Sequence, residues 1–247
     1  MPANSRASLA TFAYREVRRR IVRGEMAIGQ AVSRRKIAAE LGMSFLPVSE
    51  ALLRLEFEGM LESRPRAGTR VRIPTRKDVK GHYLLREILE AESARRFAAH
   101  ATKSERAGLL KIAARLDALS TRPDRGPYLT LHHRLHSRIA ECSRCDALSA
   151  VIEQTSALSS TWFCLLPGPE PPSTTRRHRD LAKALVTSAP DEAAVVMREH
   201  VRYSEREAIE RLKPYFLMKR AHGRTFFRSE RAQARQYNRS VPGRAQD

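Results

Sequence analysis

Cysteine, aromatic residues and acidic charge are all scarce in this 247-residue sequence. The three cysteines, Cys142, Cys145 and Cys164, are too few and odd in number for a disulfide-stapled scaffold. Cys142 and Cys145 form a CxxC, but it lies near the C-terminal end of a helical stretch. Redox work would want it at a helix N-terminus after a strand, so spare thiols are the expected reading and redox or zinc chemistry the alternative. No apolar run reaches the roughly 18–20 residues of a membrane span. The opening stretch MPANSRASLATFAYREVRRR has no long apolar segment followed by a small-residue cleavage site, so the expected location is the cytoplasm.

Acidic residues number 27 against 46 Lys and Arg, a formal net charge of +19. The excess sits at the two ends. Residues 1–75 carry 14 basic and 7 acidic side chains, residues 76–212 carry 23 and 18, and residues 213–247 carry 9 and 2. Such polarised charge points to a polyanion partner, nucleic acid first. With 42% hydrophobic residues the chain can still fill a core, and its length suits two domains.

Local patterns divide it. In residues 8–23, Leu9, Phe12, Val17 and Ile21 recur at helical spacing. Ser33 precedes a short helix that stops at Gly42, and Ser44 precedes a second that runs to about Glu58, with Pro47 in its first turn. Residues 60–64 and 70–74 then read as two strands joined by a glycine-containing hairpin, closed by Pro74. Residues 75–80 read as a polar linker. Beyond it come six amphipathic helices, at 78–101, 103–120, 127–143, 146–165, 174–188 and 190–212, with loops at Ser120–Pro127 and Pro167–Ser173. The predicted fold is mostly α: a winged helix-turn-helix over 8–74 with a β-hairpin wing, an antiparallel all-helical bundle over 78–212, and a basic tail over 213–247 that is disordered or ordered only on a partner.

Two short helices followed by a hairpin are a DNA-reading unit. The second helix turns its N-terminal end to base edges and packs Val48, Ala51, Leu52 and Leu55 inward, while the wing arginines Arg64, Arg66, Arg70 and Arg72 suit phosphates. About 55 residues resemble the GntR family of bacterial regulators. They carry Ile21, Gly24, Gly29, Leu41-Gly42-Met43-Ser44, Pro47-Val48-Ser49-Glu50-Ala51-Leu52, Arg54-Leu55, Glu58-Gly59 and Gly68-Thr69-Arg70-Val71. Where that family usually places arginines, after the serine and before the glutamate, this chain has Phe45 and Ser49. It thus lacks two side chains suited to bidentate guanine contacts, and Phe45 is suited to a thymine methyl. The expected DNA-contacting set is Arg34, Arg35, Lys36, Ser44, Phe45, Ser49, Arg54, Arg66, Gly68 and Arg70.

Eight histidines remain. His132 and His136 share one helix face, His178 begins another helix, and His200 lies late in the last. Facing helices of a bundle can gather such groups round one metal ion, although a histidine on a helix is as readily a core or surface residue. Residues 78–212 resemble the FCD effector domain of the FadR branch of the GntR family, through Arg86-Glu87-Ile88-Leu89-Glu90, the pair His132 and His136, and His178 followed 22 residues later by His200. The resemblance implies His136, His178 and His200 as ligands of a divalent metal such as zinc, nickel or iron. His132 stands at the position that usually holds an aspartate. It also implies an organic-acid effector near the metal, with Arg86 lining the pocket; the alternative for Arg86 is a salt bridge to Glu90.

The expected function is that of a homodimeric regulator, not an enzyme. It would bind a near-palindromic operator in double-stranded DNA and change its affinity when a small carboxylate binds. A zinc hydrolase is disfavoured because His133 occupies the place of the general-base glutamate beside the first histidine. The remaining alternative is a ligand-independent architectural DNA-binding protein with a vestigial effector site.

Overall fold

The computed structural model describes residues 3–66, 68–120, 125–164 and 177–240. The loops expected at Ser120–Pro127 and Pro167–Ser173 lie largely or wholly outside the described residues, as do residues 241–247.

The N-terminal unit contains α1 (Ala3–Val22), β1 (Ala31–Val32), α2 (Arg34–Glu40), α3 (Phe45–Phe57), β2 (Leu61–Arg64) and β3 (Gly68–Val71). The sheet is antiparallel with order β1-β3-β2. Sequence reasoning missed β1, because two residues carry no periodicity; it exists only through Ala31 and Val32 pairing with Arg70 and Thr69. The core face of α1 is Ala13, Val17 and Ile21, spaced at i, i+4 and i+8, while Leu9 and Phe12, grouped with that face by their spacing, are exposed. That face meets Val48, Ala51, Leu52 and Leu55, so α3 packs mainly on α1 and also on α2. Ser33 caps α2 by accepting from the Lys36 N–H at 3.3 Å. Gly42 takes a left-handed φ of 62° in the turn to α3, a conformation costly for a residue with a Cβ.

The second unit contains α4 (Arg76–His100), α5 (Lys103–Leu119), α6 (Arg125–Glu141), α7 (Asp146–Cys164), α8 (Arg177–Thr187) and α9 (Pro190–Ser240). The expected linker at 75–80 is instead the start of α4. Thr75 and Asp78 form a reciprocal capping box, which fixes the helix start at Arg76 despite the polar composition. Thr102 and Glu105 do the same for α5. Helix α4 is central and touches α6, α7, α8 and, along much of its length, α9. Tyr83, Phe97, Leu109, Leu116, Leu135, Ile139, Leu185, Met197 and Leu212 fill the space between them.

The backbone of α9 stays helical past residue 212, where sequence reasoning ends the last helix, and runs through Pro214 to Ser240. Proline removes one helical hydrogen bond. Leu212 before it is buried, and Tyr215 and Phe216 after it pack on the bundle core, which holds the helix across the break.

The two units touch. Ile28 and Ile73 of the first belong to the bundle core, and Leu158 of α7 packs against the cores of both. Arg72 pairs with Asp78 at 3.2 Å across the junction.

Candidate metal centre and nucleic-acid interface

Three helices deliver four imidazoles to one place. His132 and His136, one turn apart on α6, have ring centroids 4.6 Å apart. His178, in the first turn of α8, lies 5.2 Å from His132, and His200 on α9 lies 5.4 Å from His136 and 5.5 Å from His178. One ring nitrogen from each of His132, His136 and His200 falls within 4.8 Å of the others. Tyr128, one turn before His132, stacks on its ring at 5.9 Å.

Two buried carboxylates orient the rings. Asp117, at the end of α5, lies 3.2 Å from His178 Nδ1 and also accepts from the backbone N–H groups of His178 and Arg179 at 3.3 and 3.0 Å. It therefore caps α8 and turns the ring at once. Glu90 on α4 places Oε2 2.8 Å from His136 Nδ1, close but off the line of a hydrogen bond. With Nδ1 facing a carboxylate, each ring keeps the Nε2 lone pair for another partner. Nε2 of His136 and Nε2 of His200 are buried without a hydrogen-bond partner. Burial pushes the pKa values of His132, His178 and His200 below the ordinary imidazole range. For His132 the neighbouring histidines add to that effect, and for His200 Arg177 does. Orphaned Nε2 atoms on His136 and His200, with carboxylates behind the rings of His136 and His178, are a donor set that fits a divalent metal.

Arg86 forms the Glu90 salt bridge, its Nε donating to Oε1 at 2.6 Å with both side chains buried. Its guanidinium also stands 5.1 Å over the Tyr83 ring. Arg177, missed by sequence reasoning, donates to the His200 carbonyl at 2.8 Å and to Ser204 Oγ at 2.6 Å. Asp117 was missed too; Glu90 had been read only as the partner of Arg86. In the CxxC, Cys142 and Cys145 are free thiols. Burial raises the Cys142 pKa to about 11, which leaves it a poor nucleophile.

On the other unit, Ser44 precedes α3 without using its hydroxyl as a cap, and Ser49 Oγ donates back to the Phe45 carbonyl at 2.9 Å. Four large apolar side chains of α3 are exposed, Phe45 at 52%, Leu46 at 47%, Leu53 at 57% and Phe57 at 94%, with Glu50 exposed between Leu46 and Leu53. Arg54, further along α3, is stacked 3.8 Å over the Tyr14 ring and bonded to Glu58 while its side chain stays half exposed. Arg34, Arg35 and Lys36 form the first turn of α2, with Lys36 reaching Glu40 at 3.9 Å. In the wing, Glu62 holds Arg70 at 2.7 Å and Arg64 at 3.7 Å. Arg66 is exposed at the turn, in a left-handed conformation, and has no carboxylate partner among the described residues. Gly68 opens β3 with φ 75°, which sets the wing's return.

This arrangement is similar to known regulators. Residues 9–71 match the family described as bacterial regulatory proteins, gntR family, and residues 82–203 match the FCD domain. The HTH-type transcriptional repressor RspR of Escherichia coli K12 is 25% identical over 190 residues, 76% of this chain and 83% of that protein. A probable D-xylose utilization operon transcriptional repressor of Paenarthrobacter nicotinovorans is 41% identical over 75 residues, 30% of this chain and 33% of that protein. Among solved structures, a putative GntR transcriptional regulator from Rhodococcus sp. RHA1 superposes with a TM-score of 0.71 at 20% identity, covering 82% of this chain and 98% of that one. E. coli McbR/YncC gives 0.66 at 20% identity, covering 84% and 98%. The chain belongs to the GntR family of bacterial regulatory proteins and is a transcriptional regulator, not an enzyme, built from a gntR-type DNA-binding domain and an FCD domain.

Proposed function

We propose that this regulator senses a small carboxylate at a metal held by the histidine cluster and adjusts its grip on DNA accordingly. The observation that carries the reading is the convergence of four histidines from α6, α8 and α9, three of them buried and His132 half-buried, two of them backed by buried carboxylates. His132, His136, His178 and His200 would hold a divalent zinc, nickel or iron ion. Imidazoles are neutral ligands when they bind a metal, so they would leave the ion its full charge, and Arg86 and Arg177 add positive field close by, so an anionic effector is favoured. Such an ion supplies a Lewis-acidic anchor for a carboxylate; the residues orient it and exclude water.

DNA would be read by the Ser44, Phe45 and Ser49 edge of α3, with Arg34, Arg35 and Lys36 beside it and Arg66, Gly68 and Arg70 of the wing on the backbone. Phe45, exposed at that edge, favours a thymine methyl contact over a guanine fork. A homodimer fits the stripe Leu84, Leu85 and Ile88 on α4, exposed at i, i+1 and i+4, which a second copy would cover, and two copies require a near-palindromic operator.

The test is fluorescence anisotropy of the full chain on operator DNA selected from a random library, with and without added zinc and a panel of small carboxylates. The reading expects at least one carboxylate to shift the DNA dissociation constant in metal-loaded protein and none to do so after chelation. DNA binding indifferent to metal and to every carboxylate would instead favour a ligand-independent DNA-binding protein.

A further inference from the structure

A cleft of about 510 Å3 separates α1 and the end of α3 from α6 and α7. Its DNA-binding-domain wall carries Arg15, Arg18, Arg19, Arg23 and Arg54, and the opposite wall is Gly126, Leu129, Thr130, His133, Glu153 and Gln154. Residues 15, 18, 19 and 22 lie on one face of α1, a face that the Ala13, Val17 and Ile21 packing does not use, and Arg23 follows in the turn after its last residue.

Most acidic groups near the cleft are already engaged. Glu58 takes Tyr14 OH at 2.9 Å and Arg54 at 3.2 Å, Glu153 takes His133 at 2.9 Å and Ser137 at 3.0 Å, and Arg19 is held by Glu16 and Glu25. Among the described residues, Arg15, Arg18 and Arg23 have no carboxylate partner, and Nε of Arg18 is buried with no hydrogen-bond partner. A buried guanidinium nitrogen left without an acceptor is costly, and the exposed charges of Arg15 and Arg23 beside Arg18 give the cavity a positive potential that an anion would neutralise.

We propose that this cleft is an anion-binding site, separate from the histidine cluster, that takes a compact polyanion bearing phosphoryl or several carboxylate groups. Guanidinium forks match both headgroups. The volume suits a small ligand, since ligand sites run from about 300 to 1,000 Å3. A DNA duplex, whose major groove alone is about 12 Å wide, cannot enter a space closed on its far side by α6 and α7. Because the walls belong to different domains, a bound anion ties α1 to the bundle and fixes the angle at which the DNA-reading unit is held. Effector binding in the bundle and anion binding in the cleft would then be two inputs to one orientation.

The experiment is isothermal titration of the chelator-treated full chain with inorganic pyrophosphate and, separately, with citrate, both at an ionic strength held constant with potassium chloride. The expected result is saturable binding of one anion per chain, weakened about tenfold or more in Arg18→Gln/Arg23→Gln and restored in part by Arg18→Lys. Arg15→Gln, a change at an exposed position, provides a second test in a variant whose circular dichroism matches wild type. Preference for pyrophosphate identifies a phosphoryl ligand and preference for citrate a polycarboxylate. No saturable binding of either anion, or binding unchanged in the glutamine variants, overturns the proposal.

Discussion

Glu90 joins the buried cation Arg86 to the histidine cluster: its Oε1 accepts from Arg86 at 2.6 Å while its Oε2 lies 2.8 Å from His136 Nδ1. Its carboxyl pKa is held at about 2: burial pushes it upward, but Arg86 and His136 outweigh that. Glu90→Gln leaves the Arg86 charge buried and unpaired, which costs about 3–5 kcal/mol of stability. It also frees the His136 ring, which lowers metal affinity about 10- to 100-fold. Arg86→Met/Glu90→Met recovers most of the stability and none of the metal affinity. Urea unfolding and metal titration on the three proteins check this; a double variant that binds metal like wild type would show that Glu90 does not orient the ligand.

Asp117 has two tasks, and they separate by substitution. Asp117→Ala loses the cap on α8 and the partner of His178 Nδ1 together, costing about 0.5–2 kcal/mol for the cap alone. Asp117→Asn keeps an acceptor for the backbone N–H groups but loses the charge behind the ring. Asn is expected to retain most of the thermal stability while still showing a metal affinity reduced about tenfold or more. Equal metal affinity in wild type and both variants would count against the orienting role.

In the DNA-binding unit, Arg66 and Arg70 differ in freedom: one is exposed without a carboxylate and the other is held by Glu62. Arg66→Ala is expected to weaken binding to every sequence alike and to lower the salt slope by about 1. Arg70→Ala should change it less. Phe45→Ala should leave the salt slope intact and relax base preference at one operator position, read from competition binding on point-substituted operators.

His82 predicts a pH dependence. It packs edge-on against Trp162 at 5.0 Å and sits 3.4 Å from Ser159 Oγ. Burial, then the Arg86 charge, lowers its pKa from 6.5 to about 4, against weaker upward pulls from the Thr155 backbone and Glu90. Above pH 6.5 the ring is neutral in both folded and unfolded chains and contributes nothing to the slope. Below it, the unfolded chain gains a proton that the folded protein refuses, so stability falls as pH drops towards 4, by about 3 kcal/mol in all. His82→Phe keeps the contact with Trp162 and should flatten that part of the curve. The check is the difference between wild-type and variant unfolding free energies from pH 7.5 to 4.5.

The legible parts of the fold were those that local chemistry controls. Ser33, Gly42 and Ser44 marked the two short helices, and the spacing of His132 and His136, with that of His178 and His200, marked the cluster. What escaped depends on distant contacts. Strand β1 exists only because β3 lies beside it. The start of α4 was hidden under polar residues, because Thr75 and Asp78 act as a cap and not as a linker. Pro214 reads as a stop, yet Tyr215 and Phe216 carry α9 past it by packing on the bundle. Asp117 carries no motif and could be assigned only once α5 and α8 were seen together. Arg54, an expected DNA contact by its position, also stacks on Tyr14 and bonds Glu58, contacts that spacing alone does not show.

The central claim, that the histidine cluster is a metal centre, is tested most directly by the metal content of the purified full chain beside its His136→Ala and His178→Ala variants. The account predicts about one divalent ion per wild-type chain, as expected of a four-ligand site, and its loss from both variants while their helical circular dichroism persists. Wild-type protein that takes up no zinc, nickel or iron after incubation with each would contradict it and leave the four histidines as packing residues.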